Sequence, residues 1–336
     1  MITLETILTI GAYVISFSMT YFLLFQWIKY AKKVNVLGRD MHKVGNVMIP
    51  EAGGIVVLST ITFSLFYYGA IQVLKFHSQN SLTIILGTVG SIACVAIIGA
   101  VDDFRGWKIG LQQWQKPLLT IPAAIPFLLV NINRTTIDIP LMSGVDVGLI
   151  YPLLLIPIAI VGASNAFNML AGYNGLEAGM GLIILGVFAF LSHLNGQTLA
   201  VSFCLIGFFA LLAFLMHNWY PAKIFPGDTL TYPIGSFIAI CAILGRIEKF
   251  GLVLFIPYFL DFILPLRMKM NVEAFAKVNS DGSFDPPYET SYDSTHLVIF
   301  ILKRFKKKVY EKDVVLTILG FEAFLGFLCI MIALLK

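Results

Sequence analysis

Asn165-Ala-Phe-Asn168-Met-Leu-Ala-Gly172-Tyr-Asn174-Gly175-Leu-Glu177-Ala-Gly-Met-Gly181 lies between two apolar runs, Tyr151 to Ala163 and Gly181 to Leu191. Three asparagines, one carboxylate and four glycines interrupt a sequence otherwise almost free of polar side chains. Glycine at Gly172 and Gly175 lets backbone N–H groups approach an anion more closely than a bulkier residue would. Asn168 and Asn174 carry amide groups suited to a hard metal or the edge of a nucleobase. The same residue types also make tight turns between helices. Taken alone, the stretch allows both readings, and the rest of the chain decides between them.

Outward from this stretch the chain is apolar. Of 336 residues, 58% are hydrophobic and 12% charged, and the mean hydropathy is +0.86. A soluble chain carries roughly twice that charge, so the composition predicts an all-α polytopic membrane protein. Cys94, Cys204, Cys241 and Cys329 all sit inside apolar runs without paired spacing, and read as small apolar side chains. The first apolar run lacks a basic start and a small-residue cleavage site, so no cleavable signal is expected.

A helix crosses a bilayer with about 20 apolar residues. On that rule about ten transmembrane helices are predicted, near 4–28, 52–74, 81–101, 116–131, 148–164, 177–193, 198–216, 229–246, 251–267 and 313–335. Pro122, Pro126, Pro152 and Pro157 make the fourth to sixth the most easily broken. The loops after odd-numbered spans hold 18 of the 23 Lys and Arg residues, which makes those loops cytoplasmic and both termini non-cytoplasmic. The whole chain, 1–336, reads as a single integral-membrane domain, with 268–312 as its one sizeable polar subregion.

On this topology the polar clusters at Gly38–Asp40 through Pro50–Glu51, Asp102–Asp103, the 165–181 stretch and Phe225–Asp228 all face the cytoplasm. A transporter would spread such residues near the bilayer midplane, so the pattern favours a membrane-surface enzyme. Asp102 and Asp103 close the third span. Adjacent carboxylates at a membrane boundary call for a neutralising partner, which suits a metal–phosphate site, although a solvated helix end also fits. Lys116 opens the fourth span as a flexible point charge for a diphosphate or as an ordinary interfacial lysine. Phe225-Pro-Gly-Asp228-Thr precedes the eighth span; Asp228 suits a helix cap or a Mg²⁺ ligand beside Asn168, and Phe225 suits stacking on a flat base. His217 has no second histidine at metal-ligand spacing, so zinc is not expected. Asp261, inside the ninth span, is a functional candidate or a partner for Arg267. In the last loop, Phe275 to Phe284 reads as a small β-hairpin around Asp281-Gly282. Thr295 to Val309 reads as a basic interfacial helix on an anionic membrane surface.

Together these pieces resemble the polyprenyl-phosphate N-acetylhexosamine-1-phosphate transferase superfamily (glycosyltransferase 4 family). The likeness is greatest to its archaeal and eukaryotic branch, which includes the dolichyl-phosphate GlcNAc-1-phosphotransferase. The matching residues are Gly38-Arg39-Asp40, Ile49-Pro50-Glu51, Gly99-Ala-Val-Asp102-Asp103, Lys116, the 165–179 stretch, His217-Asn-Trp-Tyr-Pro221 and Phe225-Pro-Gly-Asp228-Thr. They run in family order through about three quarters of the chain. The resemblance implies transfer of N-acetylglucosamine-1-phosphate from UDP-GlcNAc to a polyprenyl or dolichyl phosphate. The products would be polyprenyl-diphosphate-GlcNAc and UMP, as in the first step of lipid-linked oligosaccharide synthesis for N-glycosylation. It implies Mg²⁺ as cofactor, with Mn²⁺ as a substitute ion, and a homodimer as an allowed assembly. Nucleic acid is not an expected partner. By position, Asn168 and Asp228 would hold the metal, Lys116 the diphosphate, and Asn174 and Phe225 the uracil. Asp102 and Asp103 would line the place where the lipid phosphate attacks, Glu51 would support the site, and Gly172, Gly175 and Glu177 would help seat the nucleotide.

The attacking phosphate monoester is mostly dianionic at neutral pH. Direct displacement dominated by positioning and charge neutralisation is therefore expected, with a covalent Asp route as the alternative. The His- or Arg-rich sugar motif usual after the ninth span is absent. Lys269, Asn271 and Glu273 stand there as candidate sugar contacts, and another UDP-N-acetylhexosamine is an alternative donor. A transporter or flippase is the alternative from another class, and a CDP-alcohol phosphotransferase is excluded because no Asp-x-x-Asp-Gly series is present. The membrane would be the plasma membrane in an archaeon and the endoplasmic reticulum in a eukaryote.

Overall fold

A chain in hydrocarbon must satisfy its backbone hydrogen bonds internally, and this one does so with helices. The computed structural model describes residues 4–105, 114–139, 142–268, 270 and 272–335. In chain order the helices are α1 (Leu4–Lys33), α2 (Gly54–Phe76), α3 (Gln79–Arg105), α4 (Gln115–Thr120), α5 (Ile125–Val130), α6 (Ile156–Met169) and α7 (Leu176–Leu194). They continue as α8 (Thr198–Asn218), α9 (Asp228–Gly245), α10 (Glu248–Leu254), α11 (Ile256–Leu266), α12 (Ser294–Lys303) and α13 (Glu311–Leu334). Three antiparallel strand pairs lie in the loops: β1 (Leu37–Arg39) with β2 (Met48–Pro50), β3 (Thr136–Ile139) with β4 (Met142–Asp146), and β5 (Lys277–Val278) with β6 (Phe284–Asp285). The first two pairs were not anticipated from the sequence.

Among the described residues eight helices are long and apolar enough to cross a membrane, and nine if one bent pair is counted as a span. The bent pair is α10 and α11, which turn by 53° at Phe255, just before Pro257 in the first turn of α11. The stretch predicted as the fourth span is a shorter apolar helix, Gln115–Val130, with a 3₁₀ turn at Ile121–Ala124 where Pro122 interrupts it. Pro152 sits in a π turn, Tyr151–Leu155, that leads into α6. α6 itself runs on to Met169, so Asn165 and Asn168 lie on its last turns and not in the following loop.

α9 is the hub. In its membrane-length window 89% of residues are buried, against 22% for α1, and it packs on α2, α3, α6, α7, α8 and α10. Lipid tails supply no hydrophobic force between helices, so such a hub relies on close van der Waals fit at small residues. Here Gly235 lies against the Ala163 carbonyl, where a Cβ would come within 2.3 Å of the oxygen. α1 and α13 lie outside this core; α1 packs on α2 and α8, and α13 on α7.

Asp261, left open by the sequence, is buried on α11. Its Oδ1 accepts from the Ser294 backbone N–H at 3.1 Å and from the Ser294 hydroxyl, which docks the start of α12 onto the membrane helices. Asp293 caps α12 directly, accepting from Thr295 N at 2.7 Å. The predicted interfacial helix is shorter than expected, ending at Lys303, so Lys306 to Lys308 lie beyond it. Three members of the basic run pair within the chain: Lys303 with Asp285, Lys306 with Asp313 and Lys308 with Asp281.

Candidate active site

The first turn of α9 is where the charged residues of three helices meet. Gly227 precedes it with φ +68°, and a Cβ there would fall 2.5 Å from Asp103 Oδ2. Only glycine fits that corner. Asp103, from the end of α3, accepts from the backbone N–H of Asp228 at 2.7 Å and of Thr229 at 3.0 Å. It therefore caps α9 across the helix interface, a role the sequence suggested for Asp228 itself. Phe225-Pro226-Gly227 is held against the start of α2 by Phe225 N to Pro50 O at 2.8 Å, Gly53 N to Phe225 O at 3.0 Å and Gly54 N to Pro226 O at 2.9 Å. That leaves the Phe225 ring partly exposed beside the site.

With its helix capped by another residue, Asp228 turns its carboxylate outward. Its Oδ1 accepts from Asn168 Nδ2 at 2.7 Å, and its Oδ2 lies 3.2 Å from Lys116 Nζ. Lys116 also reaches Asp102 Oδ2 at 2.7 Å and lies over the Tyr232 ring. Asp228 and Lys116 retain 22% and 20% exposure, so a ligand reaches both. Glu51 packs its carboxylate over Gly38. Burial, then the nearby charge of Asp228, raises its pKa above the usual carboxylate value. Four carboxylates thus stand near one ammonium among the described residues, an imbalance that favours an added cation.

A second network surrounds Asn174, which is 3% exposed. Its Nδ2 donates to Asp40 Oδ2 at 3.2 Å and Glu311 Oε1 at 2.5 Å, and its Oδ1 accepts from Ala222 N at 2.8 Å. Gly172 N donates to Glu177 Oε1 at 2.7 Å and Gly175 N to Asn218 Oδ1 at 3.1 Å. The amides suggested by the sequence for the nucleotide are thus committed within the chain, and Glu177 closes the 172–177 turn. Glycine is still required there: φ is +102° at Gly172 and +83° at Gly175. Lys43 pairs with Glu311 and Asp40, tying the first loop to the start of α13. The structure therefore divides the predicted residues, with Asp102, Asp103, Lys116, Asn168 and Asp228 in one cluster and Asn174, Gly172, Gly175 and Glu177 in the other. Lys269 and Asn271 lie outside the described residues. Glu273 donates its backbone N–H to the Tyr288 hydroxyl at 3.2 Å.

Sequence reasoning missed His42, which is the keystone of the second network. Its ring stacks on Tyr173 with centroids 4.0 Å apart, Nδ1 lies 3.1 Å from the Gly172 carbonyl oxygen, and Nε2 accepts from Ala276 N at 3.4 Å. A neutral ring with its proton on Nδ1 satisfies both contacts. Burial lowers its pKa to about 4. Because the unfolded value is about 6.5, the docking of these loops should be at full strength above pH 6.5 and weaken as pH falls towards 4, by up to ~3 kcal/mol. Thermal midpoints measured over that range should fall more steeply for the wild type than for His42→Asn. Equal acid slopes would rule out His42 as the source.

No group of three or more His, Cys, Asp or Glu side chains forms a metal cage among the described residues. His217 packs against the rings of Tyr21 and Phe25. Residues 85–246 match the family described as glycosyl transferase family 4. A Saccharolobus solfataricus protein, provisionally named UDP-N-acetylglucosamine–dolichyl-phosphate N-acetylglucosaminephosphotransferase, is 34% identical over 95% of this chain and 94% of its own length. This chain belongs to glycosyl transferase family 4. The membership bears out the resemblance drawn from the motifs. A Dictyostelium discoideum protein named UDP-N-acetylglucosamine–dolichyl-phosphate N-acetylglucosaminephosphotransferase is 28% identical over 73% of this chain and 68% of its own. A Shouchella clausii phospho-N-acetylmuramoyl-pentapeptide-transferase is 36% identical over 66% of this chain and 68% of its own. The glycosyl transferase family 4 match spans the whole Asp102–Lys116–Asn168–Asp228 cluster, while Glu51 and the loop after α11 lie outside it.

Proposed function

We propose that this chain transfers N-acetylglucosamine-1-phosphate from UDP-GlcNAc to a polyprenyl phosphate of the dolichyl type, releasing UMP. The observation that carries this reading is the Asn168–Asp228–Lys116–Asp102 cluster. It offers two oxygen ligands and an ammonium side by side at a partly exposed site. The names of the relatives from Saccharolobus solfataricus and Dictyostelium discoideum point to the same reaction.

The donor set fits Mg²⁺. One carboxylate and one amide carbonyl are hard oxygen ligands, and this ion usually completes its shell with water and substrate phosphates instead of a full protein cage. Bound there, the ion would neutralise charge on the diphosphate. Asp228 and Asn168 would hold it, and Lys116 would shift from its two carboxylate partners to the phosphate oxygens. Asp102 keeps Lys116 in reach of that position. Asp103 holds the α9 turn that carries Asp228. The Phe225 ring suits stacking against the uracil. A lipid phosphate oxygen attacks the sugar-bearing phosphorus of UDP-GlcNAc, a P–O bond forms, and the bridging oxygen leaves with UMP. No strong base is needed because the nucleophile is already largely dianionic at neutral pH.

The charge asymmetry supports a site on the cytoplasmic face with both termini outside. Ten spans result when Gln115–Val130 and the bent α10–α11 pair each cross. Arg304 and Lys307, together with Phe305 at 82% exposure, suit contact with an anionic membrane surface. The direct test uses purified protein, dolichyl phosphate, Mg²⁺ and radiolabelled UDP-GlcNAc. Label should move into the lipid phase with release of UMP, and added UMP should reverse it. Transfer from UDP-GalNAc but not from UDP-GlcNAc would correct the sugar, and no transfer from any UDP-sugar would overturn the enzyme reading.

A further inference from the structure

Asn168 has one amide head and two acceptors beside it. Its Nδ2 donates to Asp228 Oδ1 at 2.7 Å and to Thr231 Oγ1 at 2.8 Å. Both amide hydrogens are therefore committed. Oδ1, on the other limb of the amide, has no partner among the described residues. Thr231 lies one turn into α9 and is 2% exposed. Its hydroxyl has the Gly227 carbonyl oxygen within donating reach at 3.5 Å, which leaves its own oxygen to accept from Asn168. Turning the amide over would set a carbonyl oxygen against a carboxylate and a hydroxyl lone pair.

We infer that Thr231 is a positioning residue that keeps the Asn168 carbonyl oxygen turned outward as a ligand for the diphosphate-bound cation. This rests on the metal role proposed above for Asn168 and Asp228. The two acceptors are not equivalent in that role. A cation on the Asp228 carboxylate competes for the same oxygen that holds the amide, whereas nothing competes for the Thr231 hydroxyl. Thr231 is thus the partner that preserves the orientation when it is used. Outer partners of this kind typically change metal affinity by 10–100-fold when removed.

The test is Mn²⁺ binding by the full chain in detergent with UDP present, followed by electron paramagnetic resonance of the free ion, for the wild type, Thr231→Val and Thr231→Ser. Thr231→Val should raise the Mn²⁺ dissociation constant about tenfold. Thr231→Ser, which restores the hydroxyl, should stay within about twofold of the wild type. In turnover assays Thr231→Val should raise the Mg²⁺ concentration for half-maximal rate more than it lowers kcat at saturating Mg²⁺. If the valine variant does not fold, Thr231→Ala replaces it. Wild-type Mn²⁺ affinity in the hydroxyl-free variant, or a serine variant as weak as it, overturns the positioning role alone. A wild type that binds no Mn²⁺ overturns the metal reading and this inference with it.

Discussion

Asp228→Asn should fold normally and lower label transfer by about 10³-fold. The substitution keeps the shape of the side chain but removes its charge. Lys116 then retains Asp102 at 2.7 Å as its one ion-pair partner in the cluster, and the proposed metal loses its only carboxylate ligand. The fold should survive because the cap on α9 comes from Asp103, which binds the backbone N–H of residue 228 and not its side chain. Asp103→Asn is the informative contrast. It weakens a charged cap worth about 1–2 kcal/mol, so it should lower the thermal midpoint and reduce activity less severely. Label transfer under single-turnover conditions, read beside the thermal midpoint, separates the two effects. An Asp228→Asn enzyme retaining a tenth of wild-type turnover would remove this carboxylate from the chemistry.

The contrast between Asp103 and Asp228 shows what a sequence holds and what it withholds. Carboxylates are so costly at the edge of an apolar run that their positions made Asp102, Asp103 and Asp228 candidates beside the ordinary helix-end and capping readings. Their division of labour was not legible, because a cap supplied by another helix depends on a crossing that no local pattern encodes. Asn174, Gly172 and Gly175 illustrate the same limit differently. A glycine–asparagine segment that cradles an anion and one that closes a turn carry the same residues, and here the acceptors that decide it, Glu177, Asn218 and Glu311, include one 137 positions away. The apolar runs were legible as membrane helices because hydropathy is additive along the chain. Proline marked the break at Ile121–Ala124 in advance, whereas summed hydropathy concealed the one before α11. His42 gave no signal, since a lone histidine in a polar loop has no pattern to betray its burial.

Gly99→Ala should be among the most damaging single-methyl changes in the chain. A Cβ at Gly99 would lie 2.4 Å from the Asp228 carbonyl oxygen and 2.6 Å from its carbon, and one at Gly54 would lie 2.2 Å from Leu230 N and 2.3 Å from the Thr229 carbonyl carbon. α3 and α2 thus hold the first turn of α9 through glycines, and in both cases the neighbour is backbone, which cannot swing aside as a side chain can. Relief requires moving the turn that carries Asp228 relative to Lys116 and Asn168. Overpacking of this kind costs about 3 kcal/mol, and a shift of about 1 Å in a reacting group lowers rates by about 10². Gly99→Ala and Gly54→Ala should therefore each reduce both the thermal midpoint and kcat. Gly320→Ala provides the control: it lies on α13 with nothing within 4 Å of the added carbon, and the gain in helix propensity is at most ~1 kcal/mol. A Gly99→Ala protein with wild-type midpoint and turnover would show that the α9 turn can shift without disturbing the site, and that glycine at this crossing does not set the position of Asp228.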